Sequence, residues 1–216
     1  GYPSRRGHAR VCVGVRLGST NPDLFPHIKG RGASMKLLCL LSAFVFVVVP
    51  AAHGQSTVAT DVTRAEIEAV YESLGQSIDK QIKVVDIGKD TNVAVGILER
   101  SALERQGAVG AIVHHDVTEV YYILEGGGTL VTGGPLENTR EFPPDSAAVR
   151  ELIGPSGGGT FLAGERREVS EGDIVVIPGG VPHGFSRIPD RVKYLSIRID
   201  PDQVLPAGYV SPVLDK

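Results

Sequence analysis

From Gln81 to the C-terminus the chain carries no helical period and breaks into short β-branched runs separated by glycine and proline clusters. The runs cover residues 83–86, 92–98, 109–114, 120–124, 129–132, 174–177 and 193–199. Between them stand Gly126-Gly127-Gly128, Gly133-Gly134-Pro135, Pro143-Pro144 and Gly157-Gly158-Gly159. Branched side chains suit a pleated surface, and glycine and proline supply the dihedrals that reverse a strand. Many short strands in this rhythm predict an all-β sandwich or barrel. Residues 133–171 are rich in Gly and Pro but contain the apolar piece 147–152, which predicts an ordered excursion and not a free linker.

One helix is expected before the strands. Thr63-Arg64-Ala65-Glu66 has the form of a capping box, in which Thr63 and Glu66 satisfy each other's backbone N–H groups. Ile67, Val70, Tyr71 and Leu74 follow at helical spacing, and Gly75 is a natural stop. The apolar stripe is expected to pack against the barrel.

The N-terminal part reads as an address. Met35, the single methionine, and Lys36 precede a mostly apolar run over residues 37–52, which ends at Ala52-His53-Gly54. A basic start, a short apolar stretch and a small-x-small site describe a secretory signal peptide, cleaved near Gly54-Gln55. The run is shorter than the roughly 20 residues that span a bilayer, so no stable membrane anchor is expected. Residues 1–34 read as upstream translation without a fold, 35–54 as the signal peptide and 55–80 as the helix-bearing segment. The barrel is expected over 81–205 and a tail over 206–216, in a secreted or periplasmic protein. Cys12 and Cys39 both lie before residue 55, so the exported part has no disulfide framework, cysteine-ligated zinc or cysteine nucleophile. A net charge of -3 offers no basic face for nucleic acid.

Two segments carry chemistry. One runs Val113-His114-His115-Asp116-Val117-Thr118-Glu119-Val120-Tyr121-Tyr122-Ile123-Leu124-Glu125-Gly126, the other Gly172-Asp173-Ile174-Val175-Val176-Ile177-Pro178-Gly179-Gly180-Val181-Pro182-His183. In these residues the chain resembles the cupins, over roughly residues 81–205. The second segment has the family's glycine, proline, glycine and histidine at Gly172, Pro178, Gly180 and His183, with Arg187 where the family carries asparagine. The first matches in Glu119, in the step to Gly126 and in a histidine before the turn. The resemblance implies a double-stranded β-helix, a jelly-roll barrel with metal ligands on its interior, commonly paired as a homodimer.

Pro178 and Gly180 suit a tight turn that delivers His183 into such a barrel. The family's His-x-His is replaced by adjacent His114 and His115. Neighbours on a strand point to opposite faces, so only one of them faces inward unless a bulge intervenes. Gly107, six residues before Val113, favours His115; relatives with a histidine five positions before the acidic residue favour His114, to which the balance leans. The resemblance thus implies a ligand set of His114 or His115, Glu119 and His183, suited to one divalent ion of Fe, Mn, Zn, Cu or Ni. Tyr121 shares strand parity with Glu119 and is either a hydrogen-bond donor behind the ligands or plain core. Asp116 reads as a turn former, and Arg166 and Arg167 as solvated, or as holding an anionic substrate at the barrel mouth.

Three functions stay open at this point. One is a metal-dependent enzyme of dioxygenase, isomerase or lyase type on a small polar molecule. The second is a non-catalytic module for a small ligand, and the third a structural barrel with a vestigial site. Export weighs against ferrous chemistry. A lid role for residues 133–171 over the barrel mouth would set specificity.

Overall fold

The computed structural model describes residues 57–215. The segments read as upstream translation and as a signal peptide, and both cysteines, lie outside the described residues. Among the described residues no helix is long and apolar enough to cross a membrane.

Helix α1 spans Arg64–Glu72. Its start is the expected capping box: the Thr63 N–H donates to the Glu66 carboxylate at 2.8 Å, and the Glu66 N–H to Thr63 Oγ1 at 3.3 Å. The helix ends before the glycine expected to stop it. Ser73 turns its hydroxyl back onto the Val70 carbonyl at 2.6 Å and competes with helix continuation, leaving Gly75 in the following loop. Val70, fully buried, packs on Ile82 and Ile97.

The strands are β1 (Asp79–Gly88), β2 (Thr91–Glu104), β3 (Gly110–His114), β4 (Thr118–Thr132), β5 (Leu136–Glu141), β6 (Ser156–Phe161), β7 (Glu165–Ser170), β8 (Ile174–Ile177) and β9 (His183–Asp200). Every pairing is antiparallel. The expected all-β, jelly-roll type of barrel is what forms, with one short helix at its N-terminal side.

Strands β4 and β9 give the barrel its closure. The first half of β4 lies between β8 and the end of β9, and its second half between β7 and the start of β9. The two runs expected at 120–124 and 129–132 are therefore one strand, bent where its pairing with β9 is interrupted between Gly126 and Thr129. Backbones cross at that bend too closely for side chains. A Cβ on Gly126, whose φ is +70°, would strike the Arg191 carbonyl oxygen, and one on Gly128 the Arg187 carbonyl oxygen.

The excursion over 133–171 is largely barrel wall. It contains β5, a π-helical turn over Ala148–Ile153, β6 and β7, and β6 pairs with β3 while β7 pairs with β4. A lid does not describe these two strands, because their backbone hydrogen bonds are spent inside the sheet. The C-terminal segment packs along β1, where the Val84 N–H donates to the Tyr209 carbonyl at 3.0 Å and the Ser211 N–H to the Ile82 carbonyl at 2.8 Å.

Burial in β9 inverts the usual alternation. Tyr194, Ser196, Arg198 and Asp200 are buried, whereas Leu195, Ile197 and Ile199 are only half-buried. The polar face of this strand looks into the barrel, and Leu195 on the other face joins the cluster beneath α1.

Gly126→Ala is expected to cost about 2–4 kcal/mol in urea unfolding, since both the backbone angle and a neighbouring carbonyl oppose a side chain. Gly107→Ala, where nothing lies within 4 Å, should stay within about 0.5 kcal/mol of wild type. Equal losses for the two would remove the bend's special status.

Candidate metal centre

His114 is the last residue of β3, Glu119 the second of β4 and His183 the first of β9, and all three are buried. The turn over 178–181 brings them together. The Val181 N–H donates to the Pro178 carbonyl at 3.1 Å, and Gly180 takes the positive φ of +79° that such a turn asks of its third residue. The Gly180 N–H then donates to the His114 carbonyl at 2.6 Å, tying the second motif to the first.

Each imidazole is oriented from behind. Ser156 Oγ donates to the Gly154 carbonyl at 2.8 Å, so at 2.8 Å it accepts from His114 Nδ1–H. His183 Nδ1 lies 3.1 Å from the Val181 carbonyl, which can only accept. Both rings therefore donate from Nδ1, which leaves Nε2 of each turned to the cluster. The two Nε2 atoms each stand 3.2 Å from Glu119 Oε2. His183 Nε2 is buried without a hydrogen-bond partner despite that distance. One potential ligand atom from each of the three residues thus lies within 4.8 Å of the others, an arrangement that a cation satisfies. The residues fit a metal ion.

Glu119 is held from its other side. Oε1 accepts from Ser196 Oγ at 2.6 Å and from Arg198 Nε at 3.2 Å, while Oε2 accepts from Tyr121 Oη at 3.0 Å. Burial alone would raise this carboxyl, but the contacts with His114 and His183 and the Arg198 charge outweigh it and hold it well below the usual carboxylate range. His114 is pushed below the usual imidazole value by burial, against the pull of Glu119, and is neutral at pH 7. Burial and the Glu119 charge push the Tyr121 phenol well up, so it remains a donor.

Arg198 is itself fully buried and continues the network, donating from Nη2 to Asp79 at 2.6 Å and from Nη1 to the Gln81 side-chain oxygen at 2.9 Å. It passes over Gly96, where a Cβ would lie 2.9 Å from Nη1.

The structure brings His114, Glu119 and His183 together, with Tyr121 behind them. His115 lies outside the cluster, exposed on the bend after β3 and paired with Glu141 at 2.6 Å. Asp116 occupies the same bend. Arg187, in the family's asparagine position, is an outer residue paired with Glu104 at 3.3 Å. Arg166 and Arg167 are exposed on β7, Arg167 paired with Glu165 at 3.1 Å, and neither lines the cavity that reaches His183. Arg100 and Arg105 line it instead. Sequence reasoning passed over Ser156, Ser196, Arg198, Asp79, Gln81 and Arg100. The strand parity shared by Ser196, Arg198 and Asp200 was the available signal, and it was masked by the apolar residues alternating with them.

Comparison with solved structures finds low overall similarity to several proteins. A protein of Bacillus halodurans designated BH2720 is 16% identical with a TM-score of 0.38, over 72% of this chain and 91% of that one. Oxalate decarboxylase is 17% identical with a TM-score of 0.34, over 57% of this chain and 25% of that one. Hydroxypropylphosphonic acid epoxidase from S. wedmorenis is 10% identical with a TM-score of 0.33, over 55% and 54%. The fold rests on this chain's own strand pairing, and the chemistry of the site on its own residues. No family model matches the chain, and no curated protein matches it.

Arg198→Met should destabilise the protein by about 3–5 kcal/mol in thermal or urea unfolding, because it leaves the buried Glu119 and the partly buried Asp79 without their counter-charge. A loss below about 1 kcal/mol would show that the network does not depend on it.

Proposed function

We propose that the chain is a metal-dependent enzyme acting on a small polar molecule, with His114, Glu119 and His183 holding one divalent ion. The carrying observation is the pair of Nε2 atoms turned onto the Glu119 carboxylate, with His183 Nε2 buried and unpartnered. A second supports it. A cavity of about 540 Å³, within the range of small-molecule sites, has His183 and Tyr121 in its wall.

Two histidines and one carboxylate suit Fe, Mn, Zn, Cu or Ni. A divalent ion there supplies Lewis acidity toward a substrate oxygen. The chain's own residues do the rest. Ser156 and the Val181 carbonyl fix the imidazole tautomers; Ser196, Arg198 and Tyr121 keep the carboxylate ionised and aimed. Leu130, Phe185 and Ile188 give the cavity apolar walls that limit water around a bound molecule. Among the described residues no aspartate or glutamate lines the cavity. Dioxygenation, isomerisation and a lyase step are the reaction types in view.

Elemental mass spectrometry on the purified full chain is the test. Near-stoichiometric metal is expected, abolished by His183→Ala and by Glu119→Ala and unaffected by His115→Ala. Ser156→Ala, which removes only the acceptor behind His114, should weaken metal affinity about 10–100-fold in competition with a chelator. A chain that takes up none of Fe, Mn, Zn, Cu or Ni on reloading would end the proposal.

A further inference from the structure

Arg100 stands on β2, opposite Val192 of β9, and its side chain reaches the cavity beside His183. Its Nε donates to the Tyr194 hydroxyl at 2.9 Å, and among the described residues no hydrogen bond engages its terminal nitrogens and no carboxylate pairs with it. This sets it apart. The other arginines without an ion pair among the described residues, Arg105, Arg140, Arg150 and Arg166, are exposed, whereas Arg100 is half-buried. Asp79 acts on it through space, but that carboxylate is committed to Arg198 at 2.6 Å. A guanidinium withdrawn from water and left without a counter-ion is costly, and its planar fork matches a carboxylate or phosphonate bidentately.

The route from this cation to the metal centre is continuous. Tyr194, which holds Nε, packs on Tyr121 with ring centroids 4.5 Å apart, and Tyr121 meets His183 edge-on at 5.9 Å. Both tyrosines, the histidine and Arg100 line one cavity, with Leu130, Phe185 and Ile188 across from polar groups. Exposed Arg105 adds a second positive charge to the wall, and among the described residues no aspartate or glutamate lines the cavity.

We propose that the cavity takes a small organic anion with an apolar body, its acidic group held by Arg100 and its far end directed toward His183. As a substrate assignment this deepens the metalloenzyme reading and rests on it; the binding of the anion does not need the metal. Nε engaged by Tyr194 leaves the outer edge of the guanidinium, Nη1 and Nη2, to meet the acid.

Titration calorimetry with benzoate, phenylacetate and hexanoate, each beside its neutral amide, tests this on the full chain before and after metal is stripped with a chelator. At least one acid should bind, with its amide tenfold or more weaker. Arg100→Gln should weaken that acid tenfold or more while metal content is unchanged, and Arg100→Lys should recover part of the loss. The proposal is overturned if none of the acids binds at millimolar concentration, if acids and amides bind alike, or if Arg100→Gln leaves acid binding intact. The acid-against-amide comparison in the unsubstituted chain decides the matter even should Arg100→Gln fold poorly. Arg100-dependent acid binding in a chain that takes up no metal would keep the anion pocket and remove the metalloenzyme; metal without acid binding would do the reverse.

Discussion

The contact between Arg198 and Glu119 is the constraint on which the site depends. The two residues are direct cross-strand neighbours on β9 and β4, so the pairing of the two longest strands sets guanidinium against carboxylate before any ligand enters. The contacts with His114 and His183, joined by the Arg198 charge, keep the buried carboxylate ionised, the form in which it would be a metal ligand. Arg198 in turn needs Asp79 and Gln81 from β1, with Gly96 of β2 as the gap it crosses. Four strands therefore contribute to the state of one oxygen pair. The histidines depend on the barrel in the same way, each held by an acceptor that takes no part in the cluster itself.

The bend in β4 is what allows one strand to serve both halves of the barrel. Glu119 and Tyr121 lie before it, where β4 runs beside β8, and Leu130 lies after it in the cavity wall. The three glycines over 126–128 are thus spent on backbone proximity. The His114–Glu119–His183 cluster and the cavity wall share a strand because that strand can turn.

Much of this was legible in the residues themselves. Turn chemistry and β-branched runs gave the all-β fold, and the Thr63–Glu66 capping box marked the start of α1 to the residue. The spacing from Gly172 to His183 located the turn that carries His183 inward. Strand parity forced a choice between His114 and His115 but could not make it, since that depends on where β3 ends and the bend begins. The polar interior was hidden for a different reason. Hydrophobic alternation in β9 points to Leu195, Ile197 and Ile199 as the inner face, yet α1 covers part of the outside and the polar face finds its partners on β1 and β4. Those partners are distant in sequence, so no local pattern announces them. Ser156 was missed because the stretch containing it reads as loop, and only its pairing with β3 shows what it does.

That pairing places unequal demands on the excursion between β4 and β7. Ser156 sits directly opposite His114 in the β3–β6 register. A slip of one residue would turn its hydroxyl to the other face and free His114 to protonate at Nε2. The outward limb is under a looser demand, since most of β5 is exposed and its pairing with β6 already carries an irregularity between Glu137 and Arg140. Variation in length is therefore most tolerable between β5 and the π-helical turn and least between that turn and Ser156. The segment behaves as two pieces with different freedom to diverge, the returning one fixed by a single hydroxyl.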